Sequence, residues 1–217
     1  MPTNRSGLEV IEVFNVLDNA NARRTVAHLV DPVARSLIKA KVTPDAITWF
    51  GCAATIAISV IFLAHGKFVI GAILFAIFSS IDLLDGTMAR MLGTAGPWGA
   101  FLDSTLDRIS DAAVICAICY FYSNQDSAQS SLAVSAGVAA LVVALLTSYA
   151  RAKAESLNAT CTIGIAERAE RNLIIWLGLM ITGLVTDVMA QAFVLLAILS
   201  TITVMQRILF VRKQLFP

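Results

Sequence analysis

Apolar residues along this chain fall into runs of about twenty, the length a helix needs to cross a bilayer. Six such runs are expected as spanning helices, near residues 46–64, 68–91, 98–122, 131–153, 171–185 and 189–210. The fifth is short. The connections carry residues that stop helices: Thr43-Pro44-Asp45, His65-Gly66-Lys67, Gly93-Thr94-Ala95-Gly96-Pro97 and the polar stretch 123–130. Upstream, residues 23–41 have apolar positions at helical spacing (Val26, Leu29, Val30, Val33, Leu37, Ile38), with Arg24, Arg35 and Lys39 between them. That pattern suits an amphipathic helix in the membrane interface with its basic side toward headgroups; an ordinary surface helix would share it. The expected architecture is an all-α integral membrane protein: six transmembrane helices preceded by an amphipathic interfacial helix. One membrane domain covers residues 23–217, and residues 1–22 carry no readable function.

Composition agrees with this pattern. Hydrophobic residues make up 58% and charged residues 14% of the chain, against about a quarter charged in ordinary globular proteins. A net charge of +1 provides no global basic field, so nucleic acid is not an expected partner. The distribution of charge says more than its sum. Of 16 Lys and Arg residues, all but Lys67 fall on the side that holds both termini. The positive-inside rule then predicts cytoplasmic termini in a multi-pass protein of the cell membrane. The N-terminus lacks the basic start, short apolar core and cleavage site of a signal peptide, so insertion is expected to use the spanning helices. Cys52, Cys116, Cys119 and Cys161 imply no disulfide framework. The CxxC of Cys116 and Cys119 lies inside an expected span without other soft ligands nearby.

The chemistry concentrates in residues 82–107, DLLDGTMARMLGTAGPWGAFLDSTLD. Charged side chains at membrane depth are costly and mark function. Asp82 and Asp85 are three residues apart on one helix; Asp103 and Asp107 are four apart on the next, along one face. A Gly/Pro turn makes the two helices antiparallel neighbours, so the four carboxylates are expected to converge. Such a cluster would repel itself without divalent cations, and hard oxygen ligands favour Mg²⁺ or Mn²⁺ over Zn²⁺. Gly86, Ala89 and Gly99 bare the helix surfaces for a ligand, and Arg90 adds a fixed positive charge for a phosphate oxygen. A metal pair beside an arginine suits displacement at a diphosphate. A cation transporter or channel also uses acidic residues in helices, more often near the midplane on broken helices; here they cluster at one edge.

The stretch resembles the signature of the CDP-alcohol phosphatidyltransferase family, D-x2-D-G-x2-A-R, eight residues, then G-x3-D-x3-D. All eight fixed positions are present, as Asp82, Asp85, Gly86, Ala89, Arg90, Gly99, Asp103 and Asp107. The resemblance implies an enzyme of phospholipid synthesis acting on CDP-diacylglycerol, with its tails among the membrane lipids and its active site facing the cytoplasm. It implies two metal ions held by Asp82, Asp85 and Asp103 with Asp107 close by, Asp107 as general base, CMP as leaving group, and a homodimer. It also implies that Asp45 helps position the nucleotide, although Thr43-Pro44-Asp45 would serve equally well as a helix cap. Asp111 lies outside the signature, one turn further, with at most a supporting role.

The acceptor alcohol must be read elsewhere. SYARAKAE and ERAER, between the fourth and fifth spans, resemble the corresponding segments of the bacterial branch of that family that uses inositol phosphate. The resemblance implies that Ser148, Arg151, Arg171 and Arg207 bind the acceptor. The order of Arg and Lys, and Ala169 where a proline is common, depart from that branch. Helix ends facing the cytoplasm also collect basic residues for topology alone, a reading that suits Arg212 and Lys213. Glycerol 3-phosphate is the alternative acceptor.

Overall fold

The structure, a computed structural model, describes residues 20–216; for residues 20–29 and Asp82 it describes the backbone alone. The expected N-terminal segment therefore lies almost wholly outside the described residues. Eight α-helices and no strand occur among them: α1 (Ala20–Lys39), α2 (Pro44–Ile61), α3 (Phe68–Ser79), α4 (Asp82–Leu92), α5 (Pro97–Ser123), α6 (Ala128–Ser156), α7 (Arg168–Leu184) and α8 (Met189–Leu215). A single 3₁₀ turn, Leu63–His65, follows α2.

Local chemistry explains the boundaries. Thr43 caps α2, its hydroxyl accepting from the N–H of Ala46 at 3.2 Å, with Pro44 in the first turn. Gly93 ends α4 in the left-handed region (φ +66°), and Pro97 opens α5. Ser127 caps α6 through the N–H of Ser130.

The second expected span is not one regular helix. Between α3 and α4 the chain tightens into i→i−3 bonds, Ser80 to Ile77, Ile81 to Phe78, Leu83 to Ser80 and Leu84 to Ile81. A 3₁₀ stretch inside a helix often marks a functional hinge, and here it encloses the first signature aspartate, Asp82.

Four segments are long and apolar enough to cross a membrane: Pro44–His65, Phe68–Leu92, Ala128–Ser156 and Met189–Leu215. The third and fifth expected spans fall short of that standard for visible reasons. Helix α5 carries Asp103, Asp107, Arg108 and Asp111 on its first half, and α7 has only 17 residues.

Helices α6 and α8 pack most extensively, followed by α2 with α5 and α5 with α6. The inner face of α6 is a row of small residues, Ala133, Ala136, Ala140 and Ala144, all buried. A side chain on Gly137 would run into Cys119 and Phe193. Small residues let backbones approach where lipid offers no hydrophobic drive for association. Large residues from neighbouring helices, Phe68, Ile118, Leu179 and Phe193, fill the centre of this core. Helix α1 packs on α4 through a separate small cluster of Ala34, Ile47 and Met88. The outer surfaces are apolar as well, with Val142, Leu146, Ile198 and Ile202 exposed. Such a surface belongs in lipid.

Candidate active site

Helices α2, α4 and α5 meet at one end of the molecule. The turn between α4 and α5 is closed by N–H groups of Gly93 and Thr94 on the carbonyls of Arg90 and Ala89. It sets the start of α5 beside α4. Residues Asp45, Asp85, Gly86, Ala89, Arg90, Gly99 and Asp103 line one cavity of about 830 Å³ there. Six of these seven come from residues 82–107, and Asp45 comes from the first turn of α2.

The cavity's acids are held in place. Asp85 is 7% exposed, and the hydroxyl of Thr48 donates to its Oδ2 at 2.6 Å. Asp45 accepts from the indole N–H of Trp98 at 2.9 Å, a bridge between the starts of α2 and α5. The guanidinium of Arg90 donates to the Thr87 hydroxyl one turn back, at 3.0 Å; no carboxylate among the described residues pairs with it. The glycines face space. A Cβ on Gly99 would meet nothing within 4 Å, and one on Gly86 only the tip of Arg90 at 3.5 Å. Packing does not require glycine at either position.

Asp107 is not among the residues that line this cavity. Asp103 and Asp85 line the cavity, whereas Asp107, a turn further along α5, is engaged by cations. Arg168 Nη2 lies 2.8 Å from its Oδ1 and Arg108 Nη2 3.5 Å from its Oδ2. The side chain of Asp82 lies outside the described residues. Among the described residues, no three His, Cys, Asp or Glu side chains stand close enough to hold a metal ion as they are. The donor set is nonetheless all carboxylate, which fits Mg²⁺ or Mn²⁺. Asp103 also borders a second cavity of about 600 Å³, walled by Phe75, Ser79 and Leu83 on one side and Arg168, Asn172 and Trp176 on the other.

Beyond Asp107 lies a cluster of opposite composition. Asp111, mostly buried, faces Arg171 at 3.3 Å, Arg168 at 3.6 Å and Arg108 at 3.8 Å. Arg108 also donates to the hydroxyl of Ser148 on α6. Of the four residues expected to bind the acceptor, Ser148 and Arg171 belong to this cluster. Arg151 does not: it is exposed and paired with Glu155 at 2.9 Å along its own helix. Arg207 is buried and spends its donors on structure. Its Nε donates to the carbonyl of Ile163 at 2.8 Å, its Nη1 to that of Thr147 at 2.6 Å, and its Nη2 lies 3.6 Å from Glu167. It pins the segment between α6 and α7. The sequence carries no sign of the contacts of Thr48, Trp98 and Arg108, because each reaches a partner 37 to 53 residues away and stands at no fixed position of the signature.

A sequence model described as CDP-alcohol phosphatidyltransferase matches residues 41–211. Phosphatidylinositol phosphate synthase of Cutibacterium acnes is 38% identical over 196 residues, covering 86% of this chain and 94% of that protein. The crystal structure of Mycobacterium tuberculosis phosphatidylinositol phosphate synthase with CDP-DAG bound has a TM-score of 0.81 at 33% identity, covering 86% of this chain and 94% of that one. The same enzyme in complex with manganese and citrate has a TM-score of 0.78 at 34% identity, covering 83% and 87%. With the eight signature positions intact, the all-helical fold shared and the family model spanning most of its length, this chain belongs to the CDP-alcohol phosphatidyltransferase family.

Proposed function

We propose that the protein transfers the phosphatidyl group of CDP-diacylglycerol to a hydroxyl of inositol phosphate, giving phosphatidylinositol phosphate and CMP. The observation that carries this reading is the pairing of two unlike compartments along α5. One is a cavity roomy enough for a nucleotide diphosphate, bounded by Asp85 and Asp103. The other, one turn further, is a cluster of guanidinium groups suited to a phosphorylated acceptor. The relatives named phosphatidylinositol phosphate synthase support the same acceptor.

In this reading the CDP moiety occupies the larger cavity. Gly86, Ala89 and Gly99 leave room for it, Arg90 meets a phosphate oxygen, and Asp45 accepts from the nucleotide. Asp82, Asp85 and Asp103, with Asp107 at the margin, would hold Mg²⁺ or Mn²⁺. Such ions neutralise the diphosphate and make its phosphorus a better electrophile. Asp107 takes the proton of the acceptor hydroxyl, whose oxygen attacks the lipid-bearing phosphorus as the bond to CMP breaks. Ser148 and Arg171 receive the acceptor's phosphate, Arg151 stands at the rim of that site, and Arg207 serves it by fixing the adjoining segment. Positioning the hydroxyl in this way lowers the barrier by removing the search for a productive geometry.

The wider arrangement we infer has six spans: α2, α3 with α4, α5, α6, α7 and α8, with α1 in the interface. Both termini and the active site face the cytoplasm in the cell membrane. The unit is a homodimer, which cross-linking in native membranes tests. The decisive experiment for function is an acceptor panel. Purified protein, CDP-diacylglycerol and Mn²⁺ are incubated with inositol phosphate, inositol and glycerol 3-phosphate, and CMP release and lipid product are measured. Inositol phosphate should lead by at least ten-fold. Preference for glycerol 3-phosphate would overturn the acceptor, and equal use of inositol would overturn the phosphate site.

A further inference from the structure

Asp111 is outside the family signature, yet three arginines lie within 4 Å of its carboxylate. Arg108 comes from its own helix, and Arg168 and Arg171 from the first turn of α7. Two of these, Arg108 and Arg168, reach past Asp111 to Asp107 at 3.5 and 2.8 Å. The contact is not a surface accident. The side chains of Asp111 and Arg171 are 10% and 4% exposed, and those of Arg108 and Arg168 are 27% exposed. Three guanidinium groups thus converge on Asp111, and two of them also meet Asp107. The hydroxyl of Ser148 is tied to it through Arg108.

Like charges this close repel, and a guanidinium cannot shed its proton to escape. Without an anion among them the three arginines would splay toward water, losing the fixed arrangement a small anion needs. Asp111 supplies that anion at the base of the group. Asp107 cannot do so throughout a reaction in which it accepts a proton. We infer that Asp111 is a positioning residue: it gathers Arg108, Arg168 and Arg171 into one preorganised cluster that receives the phosphate of the acceptor. It touches neither the donor nor the reacting atoms. Arg108 and Arg168 join Arg171 and Ser148 as the groups that determine which alcohols are used. This inference rests on the proposed transfer to a phosphorylated alcohol.

The test compares wild type with Asp111→Asn, which keeps the shape and removes the charge. Two readouts are needed, transfer kinetics and the rise in melting temperature that a bound ligand gives. Inorganic phosphate and inositol phosphate probe the cluster, and CDP-diacylglycerol probes the other cavity. The expected result is a rise in acceptor KM of about ten- to a hundred-fold, as for loss of a charged hydrogen-bond partner. Stabilisation by both phosphates should shrink, with stabilisation by CDP-diacylglycerol unchanged. An unaltered acceptor KM and phosphate response would overturn the inference, as would equal loss of donor and acceptor binding. If Asp111→Asn does not fold, Asp111→Glu takes its place. That variant keeps the charge and moves it by one methylene; a wild-type acceptor KM there would count against positioning by Asp111. The failure of the underlying function looks different, because wild type itself would then not transfer to a phosphorylated alcohol or be stabilised by one.

Discussion

In the proposed transfer, Asp107 is the residue at which binding and chemistry separate. It lies one turn beyond the nucleotide-sized cavity and against Arg168. Asp107→Asn should therefore reduce turnover by about 10²–10⁴-fold, the range for a positioned base, with affinity for CDP-diacylglycerol largely kept; single-turnover rates and lipid titration measure the two. Thr48 makes the opposite case. Its hydroxyl is a direct partner of buried Asp85, and a hydrogen bond to a charged group contributes about 1.5–3 kcal/mol. Thr48→Val should weaken Mn²⁺ activation by about ten-fold or more while leaving acceptor KM near wild type. Titrating Mn²⁺ against CMP release would show this, and an unchanged activation curve would refute it. These two residues also mark what a sequence makes readable. Asp107 belongs to a local spacing that a helix turns into geometry. Thr48 meets Asp85 only because α2 and α4 pack together, and a lone threonine in an apolar run carries no sign of that.

At the scale of elements, helix boundaries were readable to within a few residues, because they follow from caps, glycines, prolines and apolar run length. The interruption of the second span at Ser80 and Ile81 was not, since neither residue is a helix breaker and the apolar pattern runs on through it. The arginines were readable only as a group. Sequence placed Arg151, Arg171 and Arg207 at helix ends near one edge, but the choice among their partners depended on side-chain reach across α6, α7 and α8. Arg207 gives the sharpest test. Arg207→Ala would leave the carbonyls of Ile163 and Thr147 without its donors, at a cost of about 1–3 kcal/mol each. We expect a lowered melting temperature together with a raised acceptor KM. An intact melting temperature with a raised KM would mean that Arg207 meets the acceptor directly. Gly99→Ala is the counterpart on the donor side. The vacant space around it predicts an unchanged melting temperature, and a methyl group in the cavity should raise KM for CDP-diacylglycerol several-fold.

For the whole molecule, the charge distribution leads to a topological expectation. A cysteine at Gly66 should be labelled by impermeant reagents from outside the cell and one at Leu157 only from inside, since Lys67 alone among the basic residues lies at the first end. Reversed labelling would move the active site to the other face. The tight turn between α3 and α4 bears on the membrane itself. Helix α3 has 12 residues, about 18 Å of helix, while a hydrocarbon core is about 30 Å thick. The rest of that crossing falls to α4, which bears Asp82, Asp85 and Arg90. Phe68–Leu92 as a whole is long enough to cross, but its first carboxylate, Asp82, comes after only about 21 Å of chain, so lipid beside α4 thins or lets water in to meet the acids. Elastic strain in the host membrane thus becomes a kinetic variable. In vesicles of uniform headgroup, transfer should be faster with short-chain phosphatidylcholine than with long-chain, and α4 rather than α6 or α8 should be where the bilayer is locally thinned.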